Sequence, residues 1–144
     1  VSEVMTSIII YTDGGSRGNP GQAAIGAIVT DLDGNILHEH GECIGFKTNN
    51  DAEYGAFAYS LEWVTTYTQA TSLQNVEWRL DSMLVVQQLN KKWKMKEPRL
   101  KSIADKIWET LQDSNFTWSI GYVPREKNSL ADALVNKALD TAGF

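Results

Sequence analysis

Residues 8–21, IIIYTDGGSRGNPG, carry an apolar, β-branched run into Asp13 and then into a segment with four glycines. So short an isoleucine-rich run belongs in a strand, SIIIYT, that ends at Asp13, and it commits the chain to a sheet. The glycines after it are either a cradle for phosphate or a turn that presents the aspartate. A phosphate-binding loop needs a lysine followed by serine or threonine, whereas GNPG follows GGSR here. The sequence favours the aspartate.

Two further strands follow, AAIGAIVT and ILHEHGECIGF, separated by DLDGN with its Asp-Gly hairpin signal. NNDAEYGAFAYSLEWVTTY then puts Tyr54, Phe57, Leu61 and Val64 on one helical face. VEWRLD reads as a strand and SMLVVQQLN as a short helix. Leu100, Ile103, Ala104, Ile107, Trp108 and Leu111 mark an amphipathic helix opening at Pro98. FTWSIGYV is a fifth strand and SLADALVNKALDTA the closing helix. The expected α/β fold is a mixed five-stranded sheet, three antiparallel strands followed by parallel ones, flanked by helices in the order βββαβαβα with one extra helix.

With 144 residues, 42% hydrophobic, and no repeat or linker, the chain is expected to be a single domain over residues 1–144. No stretch is apolar enough to span a bilayer, and VSEVMTS lacks the regions of a secretory signal, so a soluble, cytoplasmic protein is expected. Cys43, the lone cysteine, permits no internal disulfide and reads as a small strand residue. The net charge of −5 argues against a nucleic-acid partner, but its distribution argues for one. KKWKMKEPRLK (91–101) holds six of the thirteen basic residues and a single acid, Glu97. Such a cluster around Trp93 suits either a phosphate backbone or a solvated helix end.

On this frame Asp13 and Asp81 end strands, while Glu53 and Asp132 fall in the first turns of helices. Strand ends and helix starts converge on one edge of such a sheet. Singly, each acid has an ordinary explanation. Asp13 suits a turn, Asp81 an N-cap, and Glu53 and Asp132 stand three after Asn50 and Ser129 as in capping boxes. Together they form a set of carboxylates that must take up protons or hold a cation. All-oxygen donors favour Mg²⁺ or Mn²⁺ over zinc. His38 and His40 share a strand face without a third ligand nearby and read as a solvated edge.

YTDGGSRGNPG, TNNDAEYGA, LDSMLVVQQLN and VPREKNSLADALVNKALD, in this order from Ile8 to about Asp140, resemble the four signature regions of type 1 ribonuclease H, which cuts the RNA strand of RNA/DNA hybrids. The resemblance implies an RNase H-like fold, catalytic and metal-binding roles for Asp13, Glu53, Asp81 and Asp132, and an RNA/DNA hybrid as partner. It implies two Mg²⁺ (or Mn²⁺) ions, about 4 Å apart when substrate is bound, that clamp an in-line displacement giving 5′-phosphate and 3′-hydroxyl products. Asp13 would bridge both ions, Asp132 would help hold the one activating water, and Glu53 and Asp81 the one at the leaving oxygen. Asn19, Asn49 and Asn50 match positions that touch the hybrid's backbone and minor groove, Thr48 resembles the threonine of a DNA-phosphate pocket, and Trp93 with Lys94 resembles a shortened basic handle on the DNA strand. A hybrid's wide minor groove suits such amide and hydroxyl side chains.

Two departures from the family pattern stand out. The loop GYVPREKNS lacks the mobile histidine many members carry, and Tyr122 or Arg125 is its candidate replacement; an arginine can neutralise phosphate charge but cannot act as a base. Met83 stands where many members have glutamine and is expected to pack rather than to read the groove. Three other readings remain at this level: a binding module of the same fold without catalysis, a metal nuclease for another duplex, and a structural interaction domain. The intact carboxylate set weighs against the first, since four anions repel a phosphate backbone. A monomer is expected.

Overall fold

The computed structural model describes residues 6–70 and 73–144, with the side chains of 68–70 excluded. The expectation about an N-terminal signal rests largely on residues 1–5, outside the described residues.

Ile8 and Ile10 alternate into the core from β1 (Thr6–Gly18), as period-two burial requires. β1 pairs antiparallel with β2 (Gly21–Asp31), and β2 antiparallel with β3 (Ile36–Lys47). Asp31 closes the β2–β3 turn by accepting the amides of Asp33 and Asn35, each at 2.9 Å, while Gly34 takes φ 87°. Helix α1 (Asn49–Ala70) crosses to β4 (Leu73–Leu80), parallel to β1. Helices α2 (Met83–Leu89) and α3 (Pro98–Gln112) lead to β5 (Thr117–Tyr122), parallel to β4. A short 3₁₀ turn, Arg125–Lys127, precedes α4 (Ser129–Thr141). The sheet order is β3-β2-β1-β4-β5, the mixed RNase H fold expected.

The main core lies between the sheet and helices α1, α2 and α3. Tyr54, Phe57, Leu61 and Val64 all enter it, and Trp78, fully buried, donates its indole N–H to Ser60 at 2.9 Å. Helix α4 covers the other face, with Val135 and Leu139 against Ala24, and Cys43 packed beside them. No described helix is long and apolar enough to cross a membrane.

Two expectations need correction. β1 does not end at Asp13: the glycine segment stays in the ladder as far as Gly18, which pairs with Gly21. Gly14 serves close approach, since a Cβ there would lie 2.2 Å from the backbone of Ala52 in α1, while the turn comes later, where Gly18 takes φ 94°. What ends beside Asp13 is the parallel partner, whose last pair with β1 is Thr12 with Leu80. The histidines do lie on the edge strand β3, as expected, but stacked on aromatic rings of α1 rather than simply solvated. His38 stacks on Trp63 at 4.8 Å and His40 on Tyr59 at 4.2 Å, with His38 Nε2 2.7 Å from the Tyr59 hydroxyl.

Candidate active site

Asp13 is carried by β1, and each of the other three acids reaches the site because a neighbouring residue takes over the helix cap that the acid could have made. In α1, Thr48 Oγ1 accepts the Asp51 amide at 3.1 Å and Asp51 Oδ2 accepts the Thr48 amide at 3.4 Å. This reciprocal cap replaces the expected Asn50–Glu53 box and leaves Glu53 free to accept the Gly14 N–H at 2.6 Å. In α2 the N-cap is Ser82, which accepts from the Val85 amide, so Asp81 is released at the end of β4. In α4 the N-cap position belongs to Asn128, whose carbonyl accepts the Asp132 N–H, and no Ser129–Asp132 box forms.

Asp13, Glu53 and Asp81 each offer a carboxylate oxygen within 4.8 Å of the others. Asp132 stands outside this triad but lines the same cleft, a volume of ≈ 510 Å³ also bordered by Asn49, Asn50 and Arg125. Its Oδ2 accepts from Asn136 at 3.3 Å, and its Oδ1 lies 3.8 Å from Arg125 Nη2.

Burial pushes the Asp13 carboxyl up to about 7; a hydrogen bond with Glu53 opposes the rise, and repulsion from Asp81 and Asp132 adds to it. Burial likewise raises Glu53 well above the usual range, with contact to Asp13 adding to the shift. Asp81 is raised by burial, against the amide of Asn128 and the charge of Arg125. Three oxygen donors that resist simultaneous ionisation in a part-buried pocket, with neither nitrogen nor sulfur among them, fit a hard divalent cation.

Asn19 accepts the Asn49 amide at 3.0 Å, and Asn49 Oδ1 accepts the Ser16 amide at 2.9 Å, so both asparagines tie the β1–β2 hairpin to the start of α1. Asn19, Thr48, Trp93, Lys94 and Tyr122 lie outside the cleft lining. Trp93 and Tyr122 are half exposed, and Lys92, Lys94 and Lys96 have no ion-pair partner among the described residues. Met83 does not pack as expected; it is 39% exposed on the first turn of α2, because the buried face there belongs to Val85, Val86 and Leu89.

Sequence reasoning missed Asn128. Its Nδ2 donates to the Thr12 carbonyl at 2.9 Å, beside Asp13, while its buried Oδ1 has no partner. The available signal was an asparagine directly before the helix that carries Asp132.

A family profile described as reverse transcriptase-like matches residues 11–138. Ribonuclease HI of Halobacterium salinarum is 43% identical over 132 residues, 92% of this chain and 64% of that protein. The bifunctional protein Rv2228c of Mycobacterium tuberculosis is 38% identical over 141 residues, 94% of this chain and 36% of that protein. The chain thus spans between about a third and just under two thirds of these two relatives. LC11-RNase H1, isolated from compost by a metagenomic approach and solved in complex with RNA/DNA hybrid, is 46% identical with a TM-score of 0.88, over 94% of this chain and 98% of that one. On these likenesses the chain belongs to the reverse transcriptase-like family, in its type 1 ribonuclease H branch.

Proposed function

We propose that this chain is a metal-dependent endoribonuclease that hydrolyses the RNA strand of RNA/DNA hybrids and leaves 5′-phosphate and 3′-hydroxyl ends. The observation that carries the reading is the part-buried triad Asp13, Glu53 and Asp81, three carboxylates that form no ion pair among the described residues. Non-catalytic binding of a polyanion would be hindered by such a site.

Mg²⁺, or Mn²⁺ in its place, would be held by Asp13, Glu53 and Asp81 with Asp132 at the rim, as two ions once the hybrid is bound, and supplies Lewis acidity to the attacking water and the leaving oxygen. The chain's own residues orient the substrate. Asn49 and Asn50 flank the triad, where their amides can meet 2′-hydroxyls and base edges of a wide minor groove. Asn19 and Thr48 hold the start of α1 in register with the hairpin; in this reading Asn19 meets the hybrid's backbone and minor groove with Asn49 and Asn50, and Thr48 meets a DNA phosphate. Trp93 and Lys94 grip the DNA strand, the lysine by charge and the indole as a flat surface. Arg125, 81% exposed at its side chain and reaching toward Asp132, neutralises phosphate charge at the mouth of the cleft, with Tyr122 as the alternative auxiliary group. In this reading residues 1–144 act as one catalytic domain, monomeric and cytoplasmic.

The test is one labelled RNA presented single-stranded, paired with RNA and paired with DNA, each with Mg²⁺, Mn²⁺ or chelator. Metal-dependent cutting of the DNA-paired form alone is expected. Binding of hybrid without cutting in either metal would replace the enzyme with a binding module, and cutting of the RNA duplex would move the substrate.

A further inference from the structure

Gln88 is a buried amide that the proposed chemistry does not use. It is 7% exposed on α2, and its two ends bond in different directions. Oε1 accepts the Tyr54 hydroxyl at 2.6 Å, and Nε2 donates to the backbone carbonyl of Lys94 at 3.2 Å. Tyr54 is fully buried and directly follows Glu53 on α1. Burial pushes its phenol further up, so the hydroxyl stays protonated and its donor role is fixed.

The far end of this link is the basic segment. Residues 91–97 contain no helix or strand. The segment leaves α2 through a tight cap, with Lys91 at φ 61° and the amides of Lys92 and Trp93 on the Gln87 carbonyl at 2.8 and 3.2 Å. Lys91 Nζ sits 4.6 Å over the Trp108 ring, which offsets part of the cost of that backbone conformation. At the other end Arg99 pairs with Asp51 and Glu97. Between these anchors Met95 packs against the core, and among the described residues the Gln88 amide makes the only recorded hydrogen bond to the backbone of 94–96. Gln88 therefore ties the middle of an otherwise irregular stretch to the helix that carries Glu53.

We propose that Gln88 is a positioning residue for substrate grip, setting the height of the Trp93–Lys96 stretch relative to the carboxylates by bridging Tyr54 to the Lys94 carbonyl. The proposal rests on the hybrid-nuclease reading, because it assumes that the lysines and the triad engage two strands of one substrate. A buried amide satisfied at both ends is costly to misplace, which makes it a better gauge than an apolar contact.

The experiment uses Gln88→Met, which keeps the volume and removes both bonds, Tyr54→Phe, and the double variant. The single Gln88→Met change is expected to raise KM for hybrid about tenfold, the factor for loss of the one bond that holds the segment, to the Lys94 carbonyl, with kcat within about twofold. The slope of log KM against log salt should become shallower as fewer phosphates are engaged, and trypsin should cut after Lys92, Lys94 or Lys96 sooner. The double variant leaves neither a Tyr54 hydroxyl nor a Gln88 amide unpaired and so should recover thermal stability while keeping the raised KM. Recovery of KM together with stability, or a fall in kcat at unchanged KM, would overturn the positioning role and leave Gln88 as core packing. Should the parent chain cut no hybrid at all, the hybrid reading itself has failed, and trypsin rates at the segment still decide the tether: equal rates in parent and Gln88→Met would disprove it.

Discussion

Glu53 accepts the amide N–H of Gly14 at 2.6 Å, which stitches the first turns of α1 onto β1 one residue past Asp13. That approach tolerates no side chain at Gly14, where a Cβ would meet rigid backbone of Ala52 at 2.2 Å. Gly14→Ala is expected to destabilise the fold by on the order of 3 kcal/mol, as overpacking against unyielding atoms does. Gly15→Ala, whose Cβ would find only Val135 at 3.7 Å, should be nearly neutral. Thermal melts of the two variants check the contrast, and equal losses would disprove the close-approach argument.

Asp81→Asn removes one carboxylate of the triad without changing its volume. Cleavage of hybrid should fall by roughly a thousandfold or more, the several kcal/mol that an organised metal site contributes. Because burial, with a contribution from the charge of Asp132, already disfavours charge at Asp81, the variant in chelator should melt at or above the parent's temperature. Activity equal to the parent's would remove Asp81 from the chemistry.

Arg125→Ala is expected to lower kcat several-fold while KM changes little, if the guanidinium acts on phosphate charge at the reacting end. Its recorded ion-pair contact, with Asp132 at 3.8 Å from an 81% exposed side chain, contributes little stability. An unchanged kcat would return Arg125 to that surface pair.

The metal-free site should be sensitive to pH in a definite direction. Asp13, at about 7, and Glu53, also raised, hold protons in the folded chain that the unfolded chain gives up near pH 4, the ordinary range for about two such carboxyls. Stability from those protons is complete at low pH and is lost as pH rises through about 7. In chelator, the melting temperature should therefore drop between pH 6 and pH 8 more steeply than in Asp13→Asn. Mg²⁺ should raise it more at pH 8, where no proton competes for the oxygens. A metal-induced gain equal at both values would contradict the linkage.

The order of elements was legible because Tyr54, Phe57, Leu61 and Val64 repeat with a helical period and Ile8 and Ile10 with a strand period. The caps were not. Thr48, Asn49 and Asn50 are all competent N-caps, as are Asn128 and Ser129, and the choice is settled by long-range partners such as the Gly14 amide and the Thr12 carbonyl. The length of β1 was hidden for a related reason: glycines weaken an isolated strand, and only the packing of α1 and α4 on either side shows why they remain in this one. The acids were visible as a set, but the sequence could not tell that three of them close into a triad while Asp132 stays at the rim. Gln88 gave no signal, since a glutamine on a seven-residue helix looks like surface until its tertiary partners are known.

From Ile8 to Gly18 the first strand is matched to its neighbour without a skipped position. Its length is therefore counted as well as its composition: one residue added directly after Asp13 would turn every later side chain to the opposite face, bringing a Cβ where Gly14 now admits a helix. Asn19 and Pro20 lie between the last paired residues, Gly18 and Gly21. That tip is held as well, since Asn19 accepts the Asn49 amide, so the five-residue count from the aspartate to Gly18 is anchored at both ends.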